Sequence, residues 1–167
     1  LLVRFLVEKR LDHLEVNDPI TEVYNRSFYV KRLKEEWIRA QRHKAPLSLI
    51  KLALDDFHEL DIALGETSRD HLLKKMAQIL LKSSRANDLV CRININEFAM
   101  ILPHCDRQGA MVRGERLRRY IESSQLVESG LKISMSLGMS EYPTLCSTDE
   151  EIDDQASKAL KHMMDHG

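Results

Sequence analysis

The sequence predicts an α+β domain with a ferredoxin-like β-α-β-β-α-β core, in which helices flank an antiparallel central sheet. Residues 47–54 form an apolar run, and apolar and polar residues alternate over 131–139, as in strands. The stretches 89–93 and 98–102 flank a short turn, which is typical of a hairpin. Amphipathic segments between these strands are predicted to be helices, which completes the β-α-β-β-α-β order. We expect the helices to cover one face of the sheet.

The composition is that of a globular protein rather than a disordered or membrane one. Of the 167 residues, 43% are hydrophobic and 31% are charged. No apolar run approaches the roughly 18 residues that span a bilayer. The net charge of -1 gives no general reason to bind long nucleic acids. Three widely spaced cysteines predict packed, reduced thiols, and hence a cytoplasmic protein.

Residues 1–17 are predicted to form an N-terminal helix. Val7, Leu11 and Leu14 are spaced as on one helix face, among charged residues. This short apolar seam suits a partner helix, in a homodimer or on another protein, but it also suits a helix that folds back onto its own domain. Because the chain begins with leucine, we expect 1–17 to link the domain at 18–167 to an upstream region.

The remaining elements follow from start and stop signals along the chain. Asp18-Pro19 ends the first helix, because proline disfavours helical geometry in the residue before it. The predicted elements are a helix over 26–43, a strand over 47–54, a helix that Ser68 caps and that ends near Ser83, the hairpin, a helix over 107–123, a strand over 131–139 and a helix from Asp149.

Several short motifs, in order, resemble the GGDEF domains of bacterial signalling, whose active members are diguanylate cyclases. The matching segments are Asp18–Arg26 for D-x-L-T-x-L-x-N-R, Asp55-Asp56-Phe57 for D-H-F, Glu97–Pro103 after the signature turn, and Ser134–Gly138 for the last strand. The resemblance covers 18–167. It implies a nucleotide-cyclase-like fold and a reaction that joins two GTP molecules into cyclic di-GMP, with metal ions held by carboxylates.

Four features of this family's active site are altered in the sequence: a metal ligand, a phosphate contact, the paired glycines of the signature turn, and the acid after them, which is Asn96 here. Ala53 stands where the resemblance places a metal-binding aspartate, and Met164 where it places a phosphate-contacting lysine. The signature turn reads Asn94-Ile95-Asn96-Glu97, so that Glu97 is the one remaining metal-type acid. A β-branched isoleucine does not suit the positive φ of a paired-glycine turn. We therefore expect a degenerate GGDEF domain that is not an enzyme and that holds neither a metal nor a cofactor.

Two positions that the resemblance assigns to guanine recognition carry acids. Asp61 stands in place of the family's asparagine, and Asp70 keeps the family's aspartate. An ionised Asp61 can accept hydrogen bonds but cannot donate them. These residues are possible vestigial guanine contacts.

Arg85-Ala86-Asn87-Asp88 resembles the family's inhibitory RxxD site, where the product cyclic di-GMP binds. The resemblance places a supporting arginine at Arg116, and Arg113 lies one turn earlier on the same helix face. Arginine can bind guanine O6 and N7 with two hydrogen bonds. An R-x-x-D also occurs by chance as a surface ion pair. We expect Arg85, Asp88, Arg116 and Arg113 to bind cyclic di-GMP.

The leading interpretation is a catalytically inactive receptor for cyclic di-GMP. An interaction or dimerisation domain without a nucleotide ligand is the alternative from another class. A GTP-binding domain and a residual diguanylate cyclase complete the hypotheses.

Overall fold

The computed structural model describes the backbone of residues 1–167 and every side chain except that of Leu14. The helices are α1 (Leu2–Val16), α2 (Arg26–His43), α3 (Phe57–Ser83), α4 (Arg107–Ser123) and α5 (Asp149–His166), and the strands are β1 (Leu47–Leu54), β2 (Leu89–Arg92), β3 (Glu97–Pro103) and β4 (Met135–Tyr142). Among the helices of this described chain, none has the length and apolar composition needed to cross a bilayer.

The four strands form one sheet in the order β2-β3-β1-β4. Every neighbouring pair is antiparallel, and in the centre Leu49 pairs with Ile101 on one side and Ser140 on the other. The predicted ferredoxin-like α+β architecture is therefore confirmed.

Helices cover both faces of the sheet, so the prediction of a single covered face is wrong. All eight residues of β1 are buried, as in a strand that packs against helices on both sides. Ile50 and Leu52 belong to the core beneath α3 and α4. Leu47 and Leu49 belong to a second core, which α2 and α5 cover.

Helix α3 begins at Phe57, eleven residues before the predicted cap at Ser68. The extra turns contribute Leu60 to the core. Gly65 kinks the helix at a φ of 76°, which a glycine adopts at little cost. The kink separates the first turns from the rest of the helix. The helical spacing of apolar residues is therefore clear in the sequence only after Gly65.

Strand β4 is displaced towards the C-terminus from the predicted 131–139. Its eight residues pair with the eight of β1, from Leu54 opposite Met135 to Leu47 opposite Tyr142. Residues 131–134 continue the alternating pattern but precede β4, and a single backbone hydrogen bond, from the N–H of Asp55 to the carbonyl of Ser134, extends the pairing beyond Leu54. Within β4, a Cβ on Gly138 would lie 2.2 Å from the backbone nitrogen of Leu160. The glycine therefore lets α5 lie directly against the sheet.

Helix α1 presents apolar side chains to solvent. Val7 is 51% exposed and Leu11 55% exposed, so of the two alternatives for this face, the exposed side chains favour a partner helix over a fold back onto the domain. The side chain of Leu14, the third residue of the predicted seam, lies outside the described part of the structure. Phe5 and Leu6 are also exposed.

The three cysteines are buried free thiols, as the sequence predicts. Burial raises the pKa of the Cys91 thiol to about 12.

Candidate functional site

Asp88 organises the turn between α3 and β2. Its Oδ2 accepts a 2.7 Å hydrogen bond from the backbone N–H of Arg85 and a 2.6 Å bond from Nη2 of Arg113 on α4. The Asp88 side chain is 2% exposed and that of Arg113 14%. Three of the four predicted RxxD-site residues therefore meet at this turn, and the carboxylate is already engaged.

A cleft of about 620 Å³ opens beside this turn, between α3 and α4. Five cationic side chains line it, namely Lys75, Lys82, Arg85, Arg113 and Arg116. The apolar part of the lining consists of Ile79, Leu117, Leu126 and the ring of Tyr120. Such a cleft suits a ligand that combines anionic groups with flat apolar surfaces.

The sequence predicts the arginines of this cleft but misses three further residues. Lys75 and Lys82 are two turns apart on α3 and therefore share a face. Their spacing is visible in the sequence, but the helix that faces them is not. Tyr120 lies one turn after Arg116 on α4. Helical spacing therefore places both residues on the same face, and this is also visible in the sequence.

The loop between β2 and β3, residues 93–96, contains no residue with positive φ. In the described backbone, the non-glycine residues with positive φ lie elsewhere, so Ile95 takes an ordinary conformation. Residues 93–96 form a four-residue loop in which the N–H of Ile93 donates to the carbonyl of Glu97. The expected conflict between Ile95 and the turn is therefore absent, because residues 93–96 connect the two strands without positive φ.

Side chains anchor this loop to the rest of the domain. Asn96 donates to the Leu54 carbonyl at 3.3 Å, and Asn94 donates to Glu97 Oε2 at 3.0 Å. Arg92 donates to the Ile95 carbonyl at 2.7 Å. The same guanidinium pairs with Asp18 at the start of the domain. The two asparagines thus hold the loop in place.

Ala53 lies in β1 beside Glu97 of β3, and Asp55 follows just beyond the end of β1. Ala53 is buried opposite Glu97 in the strand register. Asp55 accepts a 2.7 Å hydrogen bond from Ser136 Oγ. Among the side chains that the structure describes, no group of three histidine, cysteine or acidic residues is close enough together to hold a metal ion by itself. Met164, on the last turns of α5, is exposed.

Asp61 and Asp70, the predicted guanine contacts, are joined by Arg69. The guanidinium donates from Nε and Nη2 to Asp70 Oδ1, both at 3.0 Å, and from Nη1 to Asp61 Oδ1 at 3.1 Å. The hydrogen bond to Asp70, with the charges of both acids, raises the pKa of Arg69 above its ordinary value. A cleft of about 590 Å³ lies beside Asp70.

The family profile described as "Diguanylate cyclase, GGDEF domain" matches residues 15–167. The chain belongs to the GGDEF family. Over 139 residues it is 30% identical to "Diguanylate cyclase DosC" of Escherichia coli strain K12, an alignment that covers 83% of this chain and 30% of that relative. The chain thus spans less than a third of the length of this curated relative.

Solved structures of GGDEF proteins share the fold. The diguanylate cyclase SiaD of Pseudomonas aeruginosa, solved with its activator SiaC, is 28% identical, with a TM-score of 0.84 over 99% of this chain and 64% of that one. The coiled coil and GGDEF domain of DgcB from Caulobacter crescentus, solved with c-di-GMP, is 20% identical. Its TM-score is 0.88 over 99% of this chain and 90% of that one.

The prediction that the chain is not an enzyme is wrong. The matching family is an enzymatic one, and the curated relatives are named as diguanylate cyclases. The prediction rested on four altered features of the family's active site, taken together. In the structure the sheet still carries Glu97 directly opposite Ala53, with Asp55 just beyond the end of the same strand.

Proposed function

We propose that the cleft between α3 and α4 binds cyclic di-GMP and makes this domain a receptor for the dinucleotide. The observation that carries the proposal is the group of five cations, Lys75, Lys82, Arg85, Arg113 and Arg116, around an apolar floor. Cyclic di-GMP offers two phosphates and two guanines, which match these two kinds of surface. DgcB, which is similar in fold, was solved with the same dinucleotide.

Arg85 and Arg116 are the residues best placed to contact the ligand. Both are exposed, and neither guanidinium takes part in a hydrogen bond or ion pair within the described structure. A free guanidinium can form the paired contact to guanine O6 and N7 or neutralise a phosphate. Tyr120, also exposed at the cleft, provides a ring on which a purine can stack.

Asp88 and Arg113 contribute in a different way. Because the Asp88 carboxylate already accepts two hydrogen bonds on Oδ2, its main role is to fix Arg113 and the Arg85 turn. Arg113 Nη1 is buried and has no hydrogen-bond partner among the described residues.

Calorimetric titration with cyclic di-GMP tests the proposal. Arg85→Ala should weaken binding about 5- to 150-fold, which corresponds to the loss of about 1–3 kcal/mol from a paired base contact. Arg119→Ala, on α4 but outside the lining of the cleft, is the matched control and should bind like the unaltered protein. No measurable binding by the unaltered protein, or equal affinities of all three proteins, would refute the proposal.

A second function, self-association through α1, is supported by the exposed apolar side chains of that helix. A second copy of α1 could bury Phe5, Val7 and Leu11 in a helix pair. We expect sedimentation to show a dimer and Val7→Asp to shift it towards monomer, because a charge at the seam would be buried. Glu8→Asp, a change to an exposed charged neighbour, should leave the dimer intact. A monomer at every concentration of the unaltered chain would exclude this function.

A further inference from the structure

Two histidines lie one turn apart at the end of α5. His162 and His166 are four residues apart, so their side chains share one face of the helix, and both are exposed. Their ring centroids are 4.3 Å apart, with an angle of 31° between the ring planes. A tetrahedral Zn²⁺ at about 2.0–2.1 Å from two nitrogens requires those nitrogens to be about 3.3 Å apart. Rotation of the two side chains can bring their ring nitrogens to this spacing.

A hydrogen bond prepares the His166 ring for coordination. Its Nδ1 lies 2.9 Å from the backbone carbonyl oxygen of His162. A carbonyl oxygen can only accept, so in the neutral ring Nδ1 carries the proton and Nε2 keeps a free lone pair. Metal-binding histidines typically donate from the second ring nitrogen to a carbonyl or a carboxylate, which fixes the tautomer and the orientation of the ring. The His166 ring therefore has the hydrogen bond that a metal ligand needs.

The surroundings of the pair favour a cation. The carbonyl groups at the C-terminal end of α5 carry the partial negative charge of the helix dipole. Asp165, between the two histidines in the sequence, adds a negative charge, and Lys161, next to His162, offsets it. The helix dipole is therefore the net electrostatic contribution of this turn, and it attracts positive charge.

We propose that His162 and His166 together bind a first-row transition-metal dication of the kind that prefers imidazole ligands, such as Zn²⁺ or Cu²⁺. Two protein ligands leave the remaining coordination positions to water, which agrees with the absence of a third nearby ligand among the described side chains. The expectation that the domain holds no metal rested on Ala53 and the signature turn, which are not part of this pair. The proposal is independent of the binding of cyclic di-GMP between α3 and α4.

Calorimetric titration of the full chain with Zn²⁺ tests the proposal. The unaltered chain should bind Zn²⁺, and Cu²⁺ more tightly, whereas an excess of Mg²⁺, which prefers oxygen ligands, should not displace Zn²⁺. His162→Ala and His166→Ala should each weaken Zn²⁺ binding at least about tenfold, because even the outer hydrogen-bond partners of metal ligands contribute that much. His43→Ala is the matched control and should bind like the unaltered chain, since His43 is also exposed in the last turn of a helix. The cysteine thiols are buried and should not compete for the metal.

Nuclear magnetic resonance of the histidine side chains identifies the ligands in the unaltered protein. Zn²⁺ should shift the ring signals of two of the seven histidines, and the two alanine variants assign those signals to His162 and His166. The proposal would be overturned by the absence of saturable Zn²⁺ binding, by shifts centred on other histidines, or by a His43→Ala variant that loses as much affinity as His162→Ala and His166→Ala.

Discussion

Replacement of Asp88 with alanine is expected to lower the free energy of unfolding by about 3–5 kcal/mol, the range for a buried ion pair that loses one partner. The change removes the partner of Arg113 Nη2 and the acceptor for the Arg85 N–H. Arg113 would then keep its charge in a site where it is 14% exposed. Urea unfolding followed by circular dichroism measures the difference.

Asp154→Ala is the control for this prediction. Asp154 also pairs with one cation, Lys158, but both side chains are well exposed. Screening by water leaves such a pair with little net effect, so this variant should unfold like the unaltered protein. If Asp88→Ala behaved like Asp154→Ala, the pair of Asp88 and Arg113 would not be the anchor that its burial indicates.

Asp153→Ala is expected to cost about 3 kcal/mol, the lower end of the range for a broken buried pair. Its partner Lys51 lies in the central strand β1 and is 6% exposed, with Nζ 2.8 Å from Asp153 Oδ1. The estimate is at the lower end because Asp153 itself is 42% exposed. Lys51 would keep its hydrogen bond to Ser157 and its place over the Tyr29 ring, but no carboxylate partner. The same urea measurement applies, again with the neighbouring Asp154→Ala as control.

The cost of Asp153→Ala should depend on pH. Burial acts to raise the pKa of Asp153, but hydrogen bonds from Lys51 and Tyr29 outweigh it and lower the pKa. A lowered pKa in the folded state means that the stabilisation is complete well above the unfolded value of about 3.9 and is lost as the pH falls through the folded pKa. The difference between the variant and the unaltered protein should therefore narrow below about pH 4. A constant difference from pH 7 to pH 3 would contradict this account.

Local signals allowed several elements to be predicted to the residue. Helices α2 and α4 have the predicted ends, and in each the residue before the first turn caps the helix, Asn25 for α2 and Asp106 for α4. The start of α3 and the bounds of β4 were not predicted. Gly65 interrupts the pattern of α3, and the length of β4 is set by its partner β1, which local alternation does not reveal.

The candidate site was predicted only in part, because local spacing reveals its arginines but not the residues that tertiary packing brings beside them. Arg85, Arg113 and Arg116 line one cleft, as spacing and resemblance indicated. The contribution of Lys75 and Lys82 depends on how α3 packs beside α4, which is a tertiary property. Asp61 and Arg69 lie on opposite sides of the kink at Gly65, so the sequence showed the acids but not the arginine that pairs with them.

Amide hydrogen exchange with and without cyclic di-GMP tests most directly whether the cleft between α3 and α4 is the ligand site. The dinucleotide should slow exchange in 75–88 and 113–126, the segments that contain the residues lining this cleft. Exchange in the 93–96 loop and around Ile20 and Asp70 should not change. Protection centred on the loop or on the cleft beside Asp70, or no protection at saturating ligand, would contradict the assignment.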